Sequence, residues 1–216
     1  MKIQMKFIKI IRMLPIVLLV ACAEEYPGTE KVVTYPEIVL TGGNEVIIVE
    51  GDSWVDEYVG LVGETEVPVT KEGNADPNTP GIYQISYSAE NAEGFVATSN
   101  RIVVVLESSP SAIDLTGSWL RAATGVTNVI TKTSDRSYQM SNAGGFNADP
   151  ASDILQVELL NVNDVILYIP IQTDDSGIQV QSINNGTAKI NSPTQIQYAF
   201  NASGVYGTAV RTFNKQ

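Results

Sequence analysis

The sequence predicts an all-β fold: an antiparallel β-sandwich followed by an antiparallel meander or partly closed β-barrel. Apolar and polar residues alternate with period two in many short segments, and turns rich in Gly, Pro and Asn separate these segments. No window shows the i, i+3, i+4, i+7 apolar spacing of an amphipathic helix. With 44% hydrophobic residues, the chain has enough apolar material for folded cores behind these strands.

A basic segment followed by a short apolar segment opens the chain. Four basic residues precede Met13–Cys22, which is too short to span a bilayer, so residues 1–21 are predicted to be a signal peptide. Leu19–Cys22 resembles the bacterial lipobox, in which the cysteine is diacylated and the chain is cut before it. The resemblance implies a lipoprotein with its lipid on Cys22. The alternative is an ordinary secretory signal with a chance cysteine.

Charge and composition exclude several classes of function. Four of the 13 basic residues precede Cys22 and none of the 24 acids does, so cleavage changes the formal charge from −11 to −15. An acidic chain binds nucleic acid poorly and is repelled by anionic lipids, so the membrane is reached through lipid alone. Cys22 is the only cysteine and histidine is absent. We therefore expect no enzyme activity, no cofactor and no metal site.

Residues 22–31 are polar and interrupted by Pro-Gly, as in a flexible tether. The following region, 32–106, alternates strands with turns. Within it, Tyr83, Ile85 and Tyr87 should be buried, while Gln84 and Ser86 face outward. The strand segments predicted here are Glu37–Leu40, Val46–Val49, Gly60–Thr70 with a turn inside it, Tyr83–Ser88 and Ile102–Leu106.

One stretch of this region carries a family resemblance. Thr79–Gly94 resembles the Pro-Gly-x-Tyr-x-Ile-x-Tyr…Asn-x-x-Gly run of bacterial Ig-like domains in cell-surface proteins. Val49–Asp52 and Arg101–Val105 fit the same pattern. The resemblance implies an Ig-like β-sandwich over residues 32–106, serving as a spacer or adhesion module without catalysis.

Residues 107–113 contain three serines and a proline, which predicts an interdomain linker with few contacts across it.

Residues 114–216 return to strands and turns. Val165–Ile171 is apolar on both faces and should be the most buried strand, with Pro170 at its end or at a bulge. Tight links between short strands favour a meander that curls or closes. Its predicted strands are Gly117–Ala122, Val126–Lys132, Tyr138–Asn142, Ile154–Leu160, Val165–Ile171, Ile178–Ile183, Thr187–Asn191, Thr194–Asn201 and Gly207–Asn214.

The first strand of this C-terminal domain has a second resemblance. Gly117-Ser118-Trp119 is similar to the Gly-x-Trp signature of lipocalins, whose tryptophan lies under an arginine of the last strand. Arg211 occupies a matching position, so the resemblance implies paired first and last strands and a cation–π contact between Arg211 and Trp119. The alternative is that Trp119 is ordinary core and Arg211 a solvated charge.

Candidate binding residues are few. Trp54, Phe146 and Tyr206 could stack on sugar rings if exposed, although packing is the simpler role for each. Asp174 and Asp175 are adjacent carboxylates in a hairpin loop, which favours a surface turn over an acid/base pair. The oxygen-rich segments Asn74–Asn78 and Asn147–Pro150 could bind calcium, but Asx turns explain both. No catalytic residue is assigned.

The order of lipobox, Ig-like domain and C-terminal β domain resembles a Bacteroidetes family of two-domain surface lipoproteins without assigned function. It implies a non-enzymatic protein, lipid-anchored in the outer membrane and exposed at the cell surface. We expect its partner to be a glycan or another surface protein. The alternatives are a purely structural spacer and a glycan-processing enzyme that uses carboxylates alone.

Overall fold

The computed structural model describes residues 33–147, 154–174, 177–183, 186–202 and 207–216. The predicted signal peptide, Cys22 and the tether lie outside these residues. The regular secondary structure of the described residues consists of 18 strands and no helix, which confirms the all-β prediction. No helix within them is long and apolar enough to cross a membrane. Residues 34–216 form one compact unit.

The N-terminal region is a sandwich of two sheets, with strand orders β1-β3-β4 and β2-β7-β6-β5. Most neighbours are antiparallel, but β2 pairs with β7 in the parallel sense, which corrects the expectation of a fully antiparallel sandwich. The reason is that β1 and β2, although consecutive, belong to opposite sheets. The strands are β1 Pro36–Leu40, β2 Glu45–Val49, β3 Tyr58–Val62, β4 Thr65–Val67, β5 Val69–Glu72, β6 Gly81–Glu90 and β7 Val96–Leu106.

The sandwich core confirms most of the predicted alternation along β6. Ile85 and Tyr87 are buried, and Gln84 is exposed. Tyr83 is only half-buried, because it lies at the margin of the core, where its hydroxyl donates a hydrogen bond to the Thr79 carbonyl at 2.8 Å. Ser86 lies on the outer face and donates a hydrogen bond to Asn100 on β7, 2.8 Å away.

The C-terminal region is built around an antiparallel sheet of eight strands in the order β12-β11-β10-β9-β8-β18-β16-β15. A smaller sheet has the order β13-β14-β17. Every strand segment predicted in this region overlaps an observed strand. The strands are β8 Gly117–Arg121, β9 Thr127–Lys132, β10 Ser137–Met140, β11 Val157–Asn161, β12 Leu167–Tyr168, β13 Gln172–Thr173, β14 Gln179–Ser182, β15 Lys189–Ser192, β16 Gln195–Tyr198, β17 Phe200–Ala202 and β18 Arg211–Lys215.

The large sheet is nearly closed into a barrel. Its first and last strands, β8 and β18, are paired, as predicted, with Lys215 opposite Trp119. Its two edge strands meet through a single bridge between Ile166 and Lys189. Large apolar side chains fill the interior, so this sheet encloses a packed core: Trp119, Tyr138, Tyr198, Phe200 and Phe213 are fully buried.

The prediction that Val165–Ile171 forms the most buried strand is wrong at both ends. The middle of the segment is buried, but only Leu167–Tyr168 forms a strand, and Val165 and Ile171 are 59% and 44% exposed. A turn with Asp164 at φ 62° precedes the strand, and Pro170 follows it, so neither end can extend the ladder. Pro170 therefore lies past the strand end, as expected.

The outer face of the sandwich packs directly against the barrel. We call this apolar contact the seam; it joins Ile82, Ile102, Val104 and Leu106 to Leu160, Val162, Ile166 and Tyr168. The expectation of few contacts across residues 107–113 is therefore wrong. The outward-facing residues near the end of β7 are apolar. The barrel covers them because burial of their side chains away from water is favourable.

Hydrogen bonds and ion pairs fix the segment that crosses the seam. The buried guanidinium of Arg136 lies 2.5 Å from the Glu107 carboxylate and donates to the Ser109 carbonyl at 2.8 Å. The same guanidinium approaches Asp164 at 3.4 Å. These bonds order the predicted linker against the barrel. The domain bounds 32–106 and 114–216 themselves remain a prediction.

Candidate functional site

The aromatic residues proposed for sugar stacking do not form a platform. Trp54 is half-buried and packs against the sandwich core, whose buried members include Ile85 and Tyr87. Phe146 is 40% exposed, but the Arg121 guanidinium lies over its ring at 4.2 Å from the centroid. Tyr206 and Cys22 lie outside the described residues. Trp54 and Phe146 therefore serve packing in separate regions, and the described chain does not bring them together.

The cation that faces Trp119 is Lys215, not Arg211. The Lys215 ammonium lies 5.7 Å from the centroid of the Trp119 ring, and the two residues are directly paired between β18 and β8. The Arg211 guanidinium instead lies 4.0 Å over the ring of Phe200. Arg211 is four residues from Lys215, or roughly 13 Å along an extended strand, so it is too far to share the same ring. The predicted strand pairing is correct, and the predicted cation is wrong.

The candidate acidic residues are turn residues. Asp174 follows β13 and accepts a hydrogen bond from the backbone N–H of Ile178 at 2.9 Å, as in a hairpin loop; Asp175 lies outside the described residues. Asp76 accepts bonds from the Asn78 backbone N–H at 3.0 Å and the Thr79 hydroxyl at 2.7 Å, and these bonds lower the pKa of its carboxyl group. This is Asx-turn chemistry, so the calcium alternative gains no support there. Of the segment Asn147–Pro150, only Asn147 is described.

One ionised cluster is held inside the sandwich. The Asp56 carboxylate contacts the Arg101 guanidinium at 2.5 Å, the Lys71 ammonium at 2.6 Å and the Tyr87 hydroxyl at 2.7 Å. Burial raises the pKa of Asp56, but bonds from Lys71 and Tyr87 and the charges of Lys71 and Arg101 outweigh it, so the pKa lies below its usual value. Burial and the hydrogen bond to Asp56 raise the pKa of Tyr87 well above 10. The carboxylate lies between two cations, which favours its charged form over a role in proton transfer.

A cavity of about 230 Å³ opens at the seam. Its walls are mostly apolar, and one charged side chain, Lys189, lies among them. None of the described residues of its lining is a carboxylate, so they offer no acid/base pair. The lining is formed by Ile82 of the sandwich together with Val165, Ile166, Leu167, Tyr168, Ser182, Ile183, Gly186, Ala188 and Lys189.

Sequence reasoning missed the seam and its cavity, although a signal was present. Ile102–Leu106 is apolar at every position, whereas a strand with one solvated face should alternate. Val103 and Val105 are buried in the sandwich core, and Val104 is buried in the seam. A continuous apolar run in a half-exposed sheet thus indicated that a second layer covers its outer face.

Comparison with known proteins agrees with the sandwich. Residues 38–105 match the family model for the Ig-like domain of bacterial surface proteins, which confirms the Ig-like resemblance. The sandwich is therefore called the Ig-like domain. Among solved structures, a crystal structure of a lipoprotein from Bacteroides thetaiotaomicron is similar, with 17% identity and a TM-score of 0.37, over 84% of this chain and 100% of the other. No curated protein matches the sequence.

Proposed function

We propose that the protein is a non-enzymatic lipoprotein, attached to the outer membrane through a lipid on Cys22, that binds a partner at the cell surface. The surface-protein Ig-like domain at residues 38–105 supports the location. The lipobox-like Leu19–Cys22 supports the anchor. Stable attachment needs two acyl chains or more, since each buried methylene contributes only ~0.8 kcal/mol.

The cavity at the seam is the observation that favours a binding role. Ligand sites occur preferentially at domain interfaces and are mainly apolar with few polar groups, as this cavity is. Its volume is below the roughly 300–1,000 Å³ of typical small-molecule sites. An apolar side chain from another surface protein suits it better than a glycan, because a sugar needs exposed aromatic faces and hydrogen-bonding groups.

A structural spacer is the second candidate function. The seam and the Arg136 network join the Ig-like domain to the barrel over a buried contact, as a stiff spacer requires. A carboxylate-only enzyme receives the least support, because Asp174 lies in a turn and the described lining of the cavity lacks acids.

Anchoring and location can be tested in cells. Cys22→Ser removes the thiol that receives lipid, so the variant should leave the membrane fraction under high-salt washing. Protease added to intact cells should degrade the wild-type protein if it is displayed outside. A variant that still pellets with membranes, or a wild type fully protected from protease, would contradict the anchor or the surface location respectively.

Site-specific photo-crosslinking on intact cells tests the binding role. A photoreactive residue at Val165, which lines the cavity, should give a discrete protein adduct. The matched control is Val129 on β9, which is 45% exposed and should give none. The absence of an adduct at both positions would favour the structural spacer. Specific binding on a glycan array would show that the partner is a sugar and not a protein.

A further inference from the structure

The edges of the Ig-like domain are not equally protected. Edge strand β1 begins with Pro36 and carries Glu37, and edge strand β5 carries Lys71 and Glu72. Proline and charge are the usual means of preventing edge-to-edge pairing. Edge strand β2 reads Glu-Val-Ile-Ile-Val, so it has neither proline nor lysine and is apolar after its first residue. The fourth edge strand, β4, is only three residues long and carries Glu66, so β2 is the least protected of the four.

The backbone of β2 presents unused hydrogen-bonding groups. The ladder to β7 begins with the Asn44 carbonyl, which accepts from Ile102 N–H, and ends with Glu50 N–H, which donates to the Leu106 carbonyl. Alternate residues of a parallel pair face the partner strand, so Glu45, Ile47 and Val49 direct their backbone groups outward.

Asp52 protects only one of these three positions. Val49 N–H donates to the Asp52 carboxylate at 2.8 Å, and Asp52 N–H donates to the Val49 carbonyl at 2.9 Å. Within the described residues, no bond is seen to the outward backbone groups of Glu45 or Ile47. A short stretch of edge centred on Ile47 is therefore open to another strand.

The side chains continue an interface that already exists. Ile47 and Val49 are each 42% exposed on the outer face, and they pair in register with Val104 and Leu106. Val104 is fully buried in the seam. A strand added beside β2 would cover Ile47 and Val49 and extend the apolar layer by one strand.

Charge near this edge indicates the nature of the added strand. Glu50 and Asp52 follow β2, while the Glu45 carboxylate is already bound by the Tyr168 hydroxyl at 2.6 Å. A second copy of the chain would bring its own acids and a mature charge of −15 to the same place. A segment with lysine or arginine at one end would instead complement Glu50 and Asp52.

We propose that the free edge of β2 accepts an extended segment of a partner surface protein. Its apolar residues recur at alternate positions, and a basic residue at one end faces Glu50 and Asp52. Backbone bonds to Glu45 and Ile47 supply affinity, and the contact with Ile47 and Val49 supplies selectivity, as in β-strand addition. This inference rests on the proposed function in that the partner is another protein.

The test uses the purified mature protein in solution and a fluorescent peptide, Lys-Val-Thr-Val-Thr-Val-Lys. The peptide should bind, and the Ile47 amide should become at least tenfold slower in hydrogen exchange. Ile47→Lys, a charge placed on the edge, should weaken binding at least tenfold. Val129→Lys, an equally exposed valine on the barrel, should leave binding unchanged.

A second peptide, N-methylated at every residue, tests the same bonds without altering the protein. It should not bind, because it lacks the N–H groups that a strand donates. Equal binding of both peptides, or no binding of the first, would overturn the proposal. Self-association in sedimentation that Ile47→Lys abolishes would assign the edge to a second copy. Failure of the cell-surface experiments would overturn the anchor and leave the peptide result in solution unaffected.

Discussion

The Ig-like domain and the barrel both bury arginine side chains, but they stabilise them differently. In the Ig-like domain, Arg101 meets the Asp56 carboxylate at 2.5 Å and donates to the Thr41 and Gly43 carbonyls at 2.7 and 3.1 Å. Its positive charge is therefore matched by a negative one inside the fold.

In the barrel core, the Arg121 guanidinium lies against neutral partners, whereas Arg136 at the seam is paired with Glu107 and Asp164. Arg121 donates to the Gly144 carbonyl at 2.8 Å and covers Phe146, and among the described residues it has no carboxylate partner. Burial lowers the pKa of Arg121, although its ordinary value is so high that it stays charged at neutral pH. Arg211 donates to two carbonyls and covers Phe200. The stability of the Ig-like domain should therefore depend on pH, because protonation of Asp56 removes the charge that faces Arg101. Contacts of an arginine with carbonyl groups and aromatic rings do not titrate.

Asp56→Ala should produce the largest effect, because it leaves Arg101 buried without its counter-charge. We expect the free energy of unfolding of the Ig-like domain to fall by about 3–5 kcal/mol. Urea titration followed by the NMR indole signals of Trp54 and Trp119 reads the two regions separately. The matched control is Asp135→Ala, which breaks the exposed Lys132–Asp135 pair at 3.5 Å and should cost about 0–1 kcal/mol. Similar losses of unfolding free energy in both variants would show that the buried ion pair contributes no more than the exposed one.

Tyr168→Phe tests whether the two regions unfold together. The variant removes the hydrogen bond from the Tyr168 hydroxyl to Glu45 across the seam, a bond to a charged group worth about 1.5–3 kcal/mol. At neutral pH, calorimetry of the wild-type protein should show one transition, because the buried seam couples the regions. The variant should melt lower and broaden toward two transitions. Two separate wild-type transitions would instead show autonomous domains, as the sequence alone predicts.

Gly145→Ala tests how closely the barrel packs around Arg121. An added Cβ would lie 3.0 Å from the Phe213 ring and closer still to the Arg121 side chain. Gly125→Ala is the matched control, since Gly125 has a similar positive φ of 70° but no atom within 4 Å of the added Cβ. Both variants carry the left-handed backbone penalty, so overpacking alone should make Gly145→Ala less stable by about 1–3 kcal/mol. Equal melting temperatures would show that Arg121 and Phe213 shift without cost.

Acid should weaken the Ig-like domain before the barrel core. The pKa of Asp56 is lowered in the folded protein, so its stabilising contribution is complete above the ordinary value of 3.8 and is lost as the pH falls through the folded value. The pKa of Asp164, beside Arg136, is also lowered, so the crossing segment weakens over the same range. Below about pH 4, the native Trp54 signal should disappear before that of Trp119. Loss of Trp119 first would contradict the comparison.

The strands were predictable because each rests on local pattern. Alternation located β6, and every predicted segment of the barrel overlaps a strand. The pairing of β8 with β18 was also predictable, since a closing meander must bring its ends together. The cation over Trp119 was not, because a shift of four residues along one strand selects Lys215 instead of Arg211, and register depends on the whole sheet.

The candidate site was less predictable than the fold. Exposure of Trp54 and Phe146 depends on how neighbouring elements cover them, which their own sequence positions do not determine. The seam left a readable signal in Ile102–Leu106, but the identity of the covering layer was set by residues far along the chain, such as Val162 and Tyr168. Long-range pairing of this kind is where a single sequence carries least information.

The parallel pairing of β2 with β7 gives the Ig-like domain a mechanical property. Tension on the N-terminal side enters the fold before β1, and tension from the barrel enters at the end of β7. Once it passes β1, a pull in these opposite directions slides β2 along β7 instead of peeling the two strands apart. The hydrogen bonds between β2 and β7, from the Asn44–Ile102 bond to the Glu50–Leu106 bond, are then loaded at the same time. The domain therefore resists stretching with all of these bonds together.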